Sequence, residues 1–233
     1  MSEELTRNTK MDIFRFHFSV KLKSIFFPLA LGEVLPVIEE VGYLPRKELL
    51  EAVKNLPDDR RLIVGGAIAD KSSIGGTFRM DPASNVIAIA GKNILEVIQD
   101  FTKIEQIVEE RLQVAIEKQA QFYEFVGDGA VVTGRDPTKV TAKVYHDSKL
   151  LAQLSEILGF SATNFGVRIV EQNMYATEAH WSEIVVEPLL PKADTTYHFT
   201  AVYRDPERAK VVGKAHSLTD HIEKTIYAME KEA

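Results

Sequence analysis

Gly65, four intervening residues and then Asp70-Lys71-Ser72 follow the spacing of G-x-x-x-x-G-K-[ST], with Asp70 where the second glycine belongs. A phosphate-binding loop of that kind wraps an anion with backbone N–H groups and starts a helix at its lysine. Here a carboxylate would face the anion, and residues 73–78 (SIGGTF) carry no helical stripe. The stretch predicts two strands and a DKSS turn, with Gly65-Gly66 and Gly75-Gly76 thinning the sheet. His216 and Asp220 share a helix face, but His221 is turned away by roughly 100°, so the group predicts a solvated face and no metal site. His180 beside Trp181 reads as a loop residue next to a core indole. Glu183 and Glu187 fall on one side of a strand, roughly 13 Å apart, too far for a carboxylate pair flanking one bond. No G-x-S-x-G, H-E-x-x-H or G-x-G-x-x-G occurs. The reading therefore names no catalytic residue, no metal ligand and no cofactor.

The charge pattern says more. Along the expected strands, the positions that alternate away from the apolar side include Arg15, His17, Lys21, Arg79, Lys143, Arg168, His198 and Arg204, with Thr77, Thr141, Tyr145 and Thr200 interleaved. Acidic strand residues are fewer, mainly Asp12, Glu171, Glu183 and Glu187, while the helix expected from Asn93 carries Glu96, Asp100, Glu105, Glu109, Glu110 and Glu117. If helices cover one side of the sheet, the other side is basic and hydroxyl-rich, suited to phosphates, a carboxylate ligand or an acidic surface. The expected ligand-binding residues are Arg15, His17, Lys21, Arg79, Lys143, Tyr145, Arg168, His198 and Arg204. The plainer reading is a solvated sheet face on which Arg, Lys and Thr are good β-surface residues.

The elements that must position these residues follow from periodicity. Residues 11–22 alternate, with Phe14, Phe16, Phe18, Val20 and Leu22 on one face and Arg15, His17, Ser19 and Lys21 on the other. A helix follows Pro45, then strands over 61–69, 74–80 and 86–90, and a long helix from Asn93 to about Gln119. Gly127, Gly129 and residues 134–137 read as a loop region and a unit boundary. Beyond it come a strand over 139–146, a short helix closed by Gly159, strands over 163–171, 181–186 and 196–204, and a last long helix opened by Asp205-Pro206-Glu207.

The order strand, helix, three strands, long helix thus occurs twice, and Val64–Asp70 (VGGAIAD) lies in the same place as Phe165–Glu171 (FGVRIVE). The expected fold is α+β, internally duplicated, with units over 1–126 and 127–233 fused into a mainly antiparallel sheet that carries two long helices on one face. A duplicated unit of this order resembles the TATA-binding-protein-like arrangement in topology. The chain carries none of that family's sequence features, so the resemblance implies architecture alone.

With 233 residues, 45% apolar and 27% charged, the chain has the composition of an ordinary globular protein. The absence of cysteine excludes disulfides, thiolate-held metals and thiol nucleophiles. The N-terminus lacks an apolar signal core, and no apolar run is long enough to span a bilayer, so the expectation is a cytoplasmic protein with no membrane partner. A net charge of −6 argues against broad nonspecific nucleic-acid binding without excluding a local basic face. The leading expectation is a non-enzymatic binding protein that offers its open sheet face to an anionic partner, nucleic acid or a phosphorylated ligand. The alternative is an assembly protein that buries that face or its long helices in a homo-oligomer. An enzyme with Tyr145, His198, Arg168 and Glu183 lining a cleft has the least support.

Overall fold

In a computed structural model, residues 9–24, 30–55, 57, 65–144 and 149–233 are described. They form an α+β fold with a single nine-stranded antiparallel sheet and eight α-helices. The strands are β1 (Lys10–Leu22), β2 (Leu44–Pro45), β3 (Gly66–Lys71), β4 (Gly76–Asp81), β5 (Val86–Gly91), β6 (Ala120–Val132), β7 (Val167–Val170), β8 (Trp181–Pro188) and β9 (Thr196–Asp205). Their spatial order is β2-β3-β4-β5-β1-β6-β9-β8-β7, so β1 and β6 are neighbours near the centre of the sheet. The helices are α1 (Leu31–Glu40), α2 (Lys47–Lys54), α3 (Ile94–Leu112), α4 (Ile116–Gln119), α5 (Pro137–Lys143), α6 (Lys149–Leu158), α7 (Arg208–His216) and α8 (Leu218–Glu232).

The strand alternation sorts side chains as the sequence pattern requires. Phe16, Phe18, Val20 and Leu22 of β1 join Phe78, Ile87, Ile89, Tyr123, Phe125, Phe199 and Tyr203 in one buried core with Phe101, Ile104, Val211 and Ile222 of the helices. Each such side chain contributes about 1.5–3 kcal/mol when fully buried, so this layer holds the helices to one face. The intervening residues Arg15, His17, Arg79, Glu124, Asp128, His198 and Arg204 lie on the opposite face. Among the described residues, no helix is long and apolar enough to cross a membrane.

Several local expectations are corrected. Phe14 leaves the apolar face because a bulge in β1 sets Ile13 opposite Gly129 and Arg15 opposite Asp128, with Phe14 the extra residue. It is 39% exposed and stacks on His198, with ring centroids 6.4 Å apart. The region around Gly127 and Gly129 is no loop but the middle of β6. The glycines serve close packing. A Cβ at Gly127 would stand 2.6 Å from Leu218 Cδ2, and one at Gly129 would stand 2.6 Å from the Asp12 carbonyl oxygen and 2.8 Å from the Phe199 ring. The strand expected over 139–146 is helix α5 as far as Lys143, capped by Asp136, whose carboxylate accepts from the Lys139 N–H. The helix expected to run on to Gln119 breaks at Gln113, whose φ is 57°, and the last long helix divides at Ser217.

Candidate functional site

The resemblance to a phosphate-binding loop ends in a hairpin. Lys71 closes β3, a short 3-10 turn spans Ser72–Ile74, and Gly75 takes a left-handed φ of 57°. Both would-be ligand groups are committed elsewhere. The Asp70 carboxylate accepts from Arg46 Nε at 3.0 Å and from Thr77 Oγ1 at 3.0 Å, and Arg46 holds its pKa below the usual carboxylate value. Lys71 Nζ donates to the buried Asp100 at 2.7 Å, and the Tyr43 hydroxyl donates to the same carboxylate at 3.2 Å. Burial of the Tyr43 phenol beside Asp100 pushes its pKa far up.

The uncovered face falls into two parts with different electrostatics. On β6, β9, β8 and β7 the basic side chains meet carboxylates. Arg204 donates through Nε to Glu124 at 2.8 Å and through a terminal nitrogen to the same oxygen. Its other terminal nitrogen reaches the carbonyls of Ala176 at 2.6 Å and Glu178 at 3.1 Å, and the guanidinium lies 4.5 Å from the Phe122 ring centroid. Arg168 pairs with Glu183 at 2.7 Å. His198 bonds Asp128 through Nε2 at 2.7 Å, with Glu187 3.6 Å from its Nδ1. Glu124 and Asp128 belong to β6, the strand hidden by its glycines. The alternation of Tyr123, Phe125 and Val131 against Glu124, Val126 and Asp128 was the available signal for it.

The other part, on β1, β5 and β4, is a cleft of about 580 Å³ lined by Arg15, His17, Arg79, Asp81, Ser84 and Asp128. Register builds it. Arg79 of β4 faces Ala88 of β5, Ala88 faces Ser19 of β1, and the short side chain of Ala88 leaves a trough between Arg79 and the β1 residues. Val86, Ala88 and Val126 give this trough apolar lining. Neither Arg15 nor Arg79 makes a hydrogen bond or ion pair among the described residues. Asp128 is the cross-strand partner of Arg15, but its carboxylate is held by His198, and Asp81 is held in its turn by Ser84 Oγ at 2.7 Å. His17 Nε2 is buried and has no hydrogen-bond partner among the described residues. Burial lowers the His17 pKa below its ordinary value; Glu124 opposes this, and the charges of Arg15 and Arg79 add to the lowering.

Of the sequence-predicted residues, Arg15, His17 and Arg79 therefore share one cleft. Lys21 lies on the same strand further along, with Nζ 5.9 Å from the Phe122 ring centroid. Arg168, His198 and Arg204 share the face but are paired. Lys143 is on a helix of the covered side, where Nζ donates to the Ala233 main-chain oxygen at 2.7 Å, and Tyr145 lies outside the described residues. A second cavity of about 740 Å³, on the helical side, is lined by Glu105, Tyr123 and Arg208 among others. The Tyr123 hydroxyl donates to Glu105 at 3.1 Å, Arg208 Nε lies 3.1 Å from its other oxygen, and burial raises the carboxyl pKa to about 7. Sequence reading counted Glu105 among the acidic residues of the long helix and missed this cavity.

Fold and site together define an α+β protein with one helix-backed antiparallel sheet and, on its open side, a cleft that holds two arginines. No protein-family model matches the chain, and no curated protein matches it in sequence.

Proposed function

We propose that this chain is a non-enzymatic binding protein that receives an anionic partner, a nucleic acid or a phosphorylated ligand, on its uncovered sheet face. The observation that carries the reading is the pair Arg15 and Arg79, two guanidiniums without a carboxylate partner among the described residues in one cleft. Guanidinium forks bind carboxylate and phosphate oxygens with charge-assisted hydrogen bonds. Asp81 and Asp128 line the same cleft, but Ser84 and His198 hold their carboxylates, which leaves both guanidiniums open to the oxygens of a ligand.

The test compares wild type with the Arg15→Gln/Arg79→Gln double variant on a heparin column and in thermal stabilisation by inorganic phosphate. The double variant elutes at lower salt or loses phosphate stabilisation, while Arg168→Gln behaves as wild type. A double variant that matches wild type in both assays overturns the reading.

We also propose that the chain is internally duplicated in the TATA-binding-protein-like order, with β6 opening the second unit. Support comes from the strand order, in which β1 is flanked by β5-β4-β3 and β6 by β9-β8-β7. A second functional reading, homo-oligomer assembly, is favoured by the apolar stripe of α6. Leu150 and Ile157 are 60% and 77% exposed, close in sequence to the edge strand β7 with its exposed Ile169 and Val170. Sedimentation at several concentrations decides it, and a strict monomer removes it.

A further inference from the structure

The cations of the uncovered face do not form a track. Between the Arg15–Arg79 cleft and the β7 edge, Arg204 and Arg168 are paired with Glu124 and Glu183, and His198 is hydrogen-bonded to Asp128. A nucleic-acid strand laid across the sheet would pass from the cleft onto carboxylates whose counter-charges are already spent. Strand binding also uses aromatic faces on which successive bases stack. Among the described residues, the strand phenylalanines and tryptophan of this face are occupied: Phe122 lies under Arg204 and Lys21, Phe14 stacks on His198, and Trp181 is buried, donating from Nε1 to Glu183 at 3.0 Å.

The cleft itself has a different character. It combines the guanidiniums of Arg15 and Arg79 with an apolar floor of Val86, Ala88 and Val126, in about 580 Å³. That volume falls within the range of about 300–1,000 Å³ usual for small-molecule sites, which pair apolar lining with a few placed polar groups. His17 also lines the cleft, and its buried Nε2 has no hydrogen-bond partner among the described residues.

From these features we infer that the cleft takes a small organic oxyanion with an apolar body, a carboxylate or a phosphate monoester. The two arginines hold the head group, and Val86, Ala88 and Val126 hold the body. This inference rests on the anion-binding reading of the same face and narrows it to a ligand class.

Titration calorimetry tests it with octyl phosphate and octanoate as probes, against inorganic phosphate, octanol and a twelve-nucleotide single-stranded DNA. The eight-carbon anions bind at least about tenfold more tightly than inorganic phosphate, because each buried methylene strengthens binding. Octanol and the oligonucleotide bind detectably less than either. Arg15→Gln/Arg79→Gln weakens the eight-carbon anions about tenfold or more, and Val126→Ser lowers their advantage over phosphate. The tighter of the two eight-carbon probes identifies the head group. Oligonucleotide binding that depends on both arginines, with octyl phosphate no better than phosphate, overturns this inference and leaves the anion-binding reading standing. Binding of every probe that is absent or insensitive to the double variant overturns both.

Discussion

Arginines on one sheet face should separate by their effect on stability, and Arg204→Met against Arg15→Met measures the separation. Arg204 makes hydrogen bonds to Glu124, Ala176 and Glu178, and its side chain and that of Glu124 are only 17% and 20% exposed. Methionine preserves much of the aliphatic packing on Phe122 but strands the Glu124 carboxylate and two carbonyls. Removing one partner of a buried ion pair costs about 3–5 kcal/mol; residual solvent contact here lowers the expectation to about 2–4 kcal/mol. For a chain of this size that is a fall in melting temperature on the order of 5–15 °C. Arg15 makes no hydrogen bond or ion pair among the described residues, and its charge opposes protonation of His17. Arg15→Met and Arg79→Met therefore change stability by no more than about 0.5 kcal/mol, as surface substitutions do. Urea denaturation of the three variants, followed by Trp181 fluorescence and far-UV circular dichroism, supplies the comparison. Destabilisation by Arg15→Met or Arg79→Met equal to that of Arg204→Met would refute the distinction between a structural arginine and one kept for a ligand.

Two further outcomes follow from buried features. Glu105 has a folded-state pKa raised from 4.5 to about 7 by burial, so the folded chain binds its proton more tightly than the unfolded chain. Stability from this group is present below pH 4.5 and is lost as pH rises to about 7. Glu105→Gln, which stays neutral, should gain on wild type by on the order of 2 kcal/mol between pH 5 and pH 8; denaturation curves at both values check it, and a pH-independent difference contradicts it. Gly129→Ala forces a Cβ to within 2.6 Å of the Asp12 carbonyl oxygen and 2.8 Å of the Phe199 ring. It should destabilise by about 1–3 kcal/mol or more, measured as a shift in the urea midpoint, whereas Gly134→Ala, with open space at its Cβ, should not from steric overlap.

The legible parts of the sequence were those where side-chain period and local chemistry agree. Residues 16–22 of β1 alternate without interruption, and Asn93 caps α3 as its residue type suggests, accepting from the N–H groups of Leu95 and Glu96. The reading failed where a residue serves two purposes. Gly127 and Gly129 have the composition of a loop but are required in β6 by Leu218 and Phe199, a tertiary demand that no local window contains. Lys143 and its β-branched neighbours Val140 and Thr141 suggest a strand, but Asp136 and Pro137 start a helix there. Phe14 belonged by type to the core and was displaced by a one-residue bulge. The cleft was legible only as separate residues. Arg15, His17 and Arg79 were singled out by alternation, while their meeting depends on the β4-β5-β1 register.

The missed strand also determines what the open face can bind. Without β6, the face is a field of cations with few acids, and a polyanion is the natural partner. With β6 in the centre of the sheet, Glu124 and Asp128 stand between β1 and β9 and take up Arg204 and His198. Charge already neutralised within the protein gives little to a ligand, because a new ion pair must first break the old one. On the anion-binding reading proposed above, the binding place therefore contracts to the cleft over Ala88, where Arg15 and Arg79 make no ion pair among the described residues. On that reading, a compact oxyanion reaches Arg15 and Arg79 together, while an extended one must also pass the Asp81 and Asp128 carboxylates that line the cleft and Glu124 beyond it.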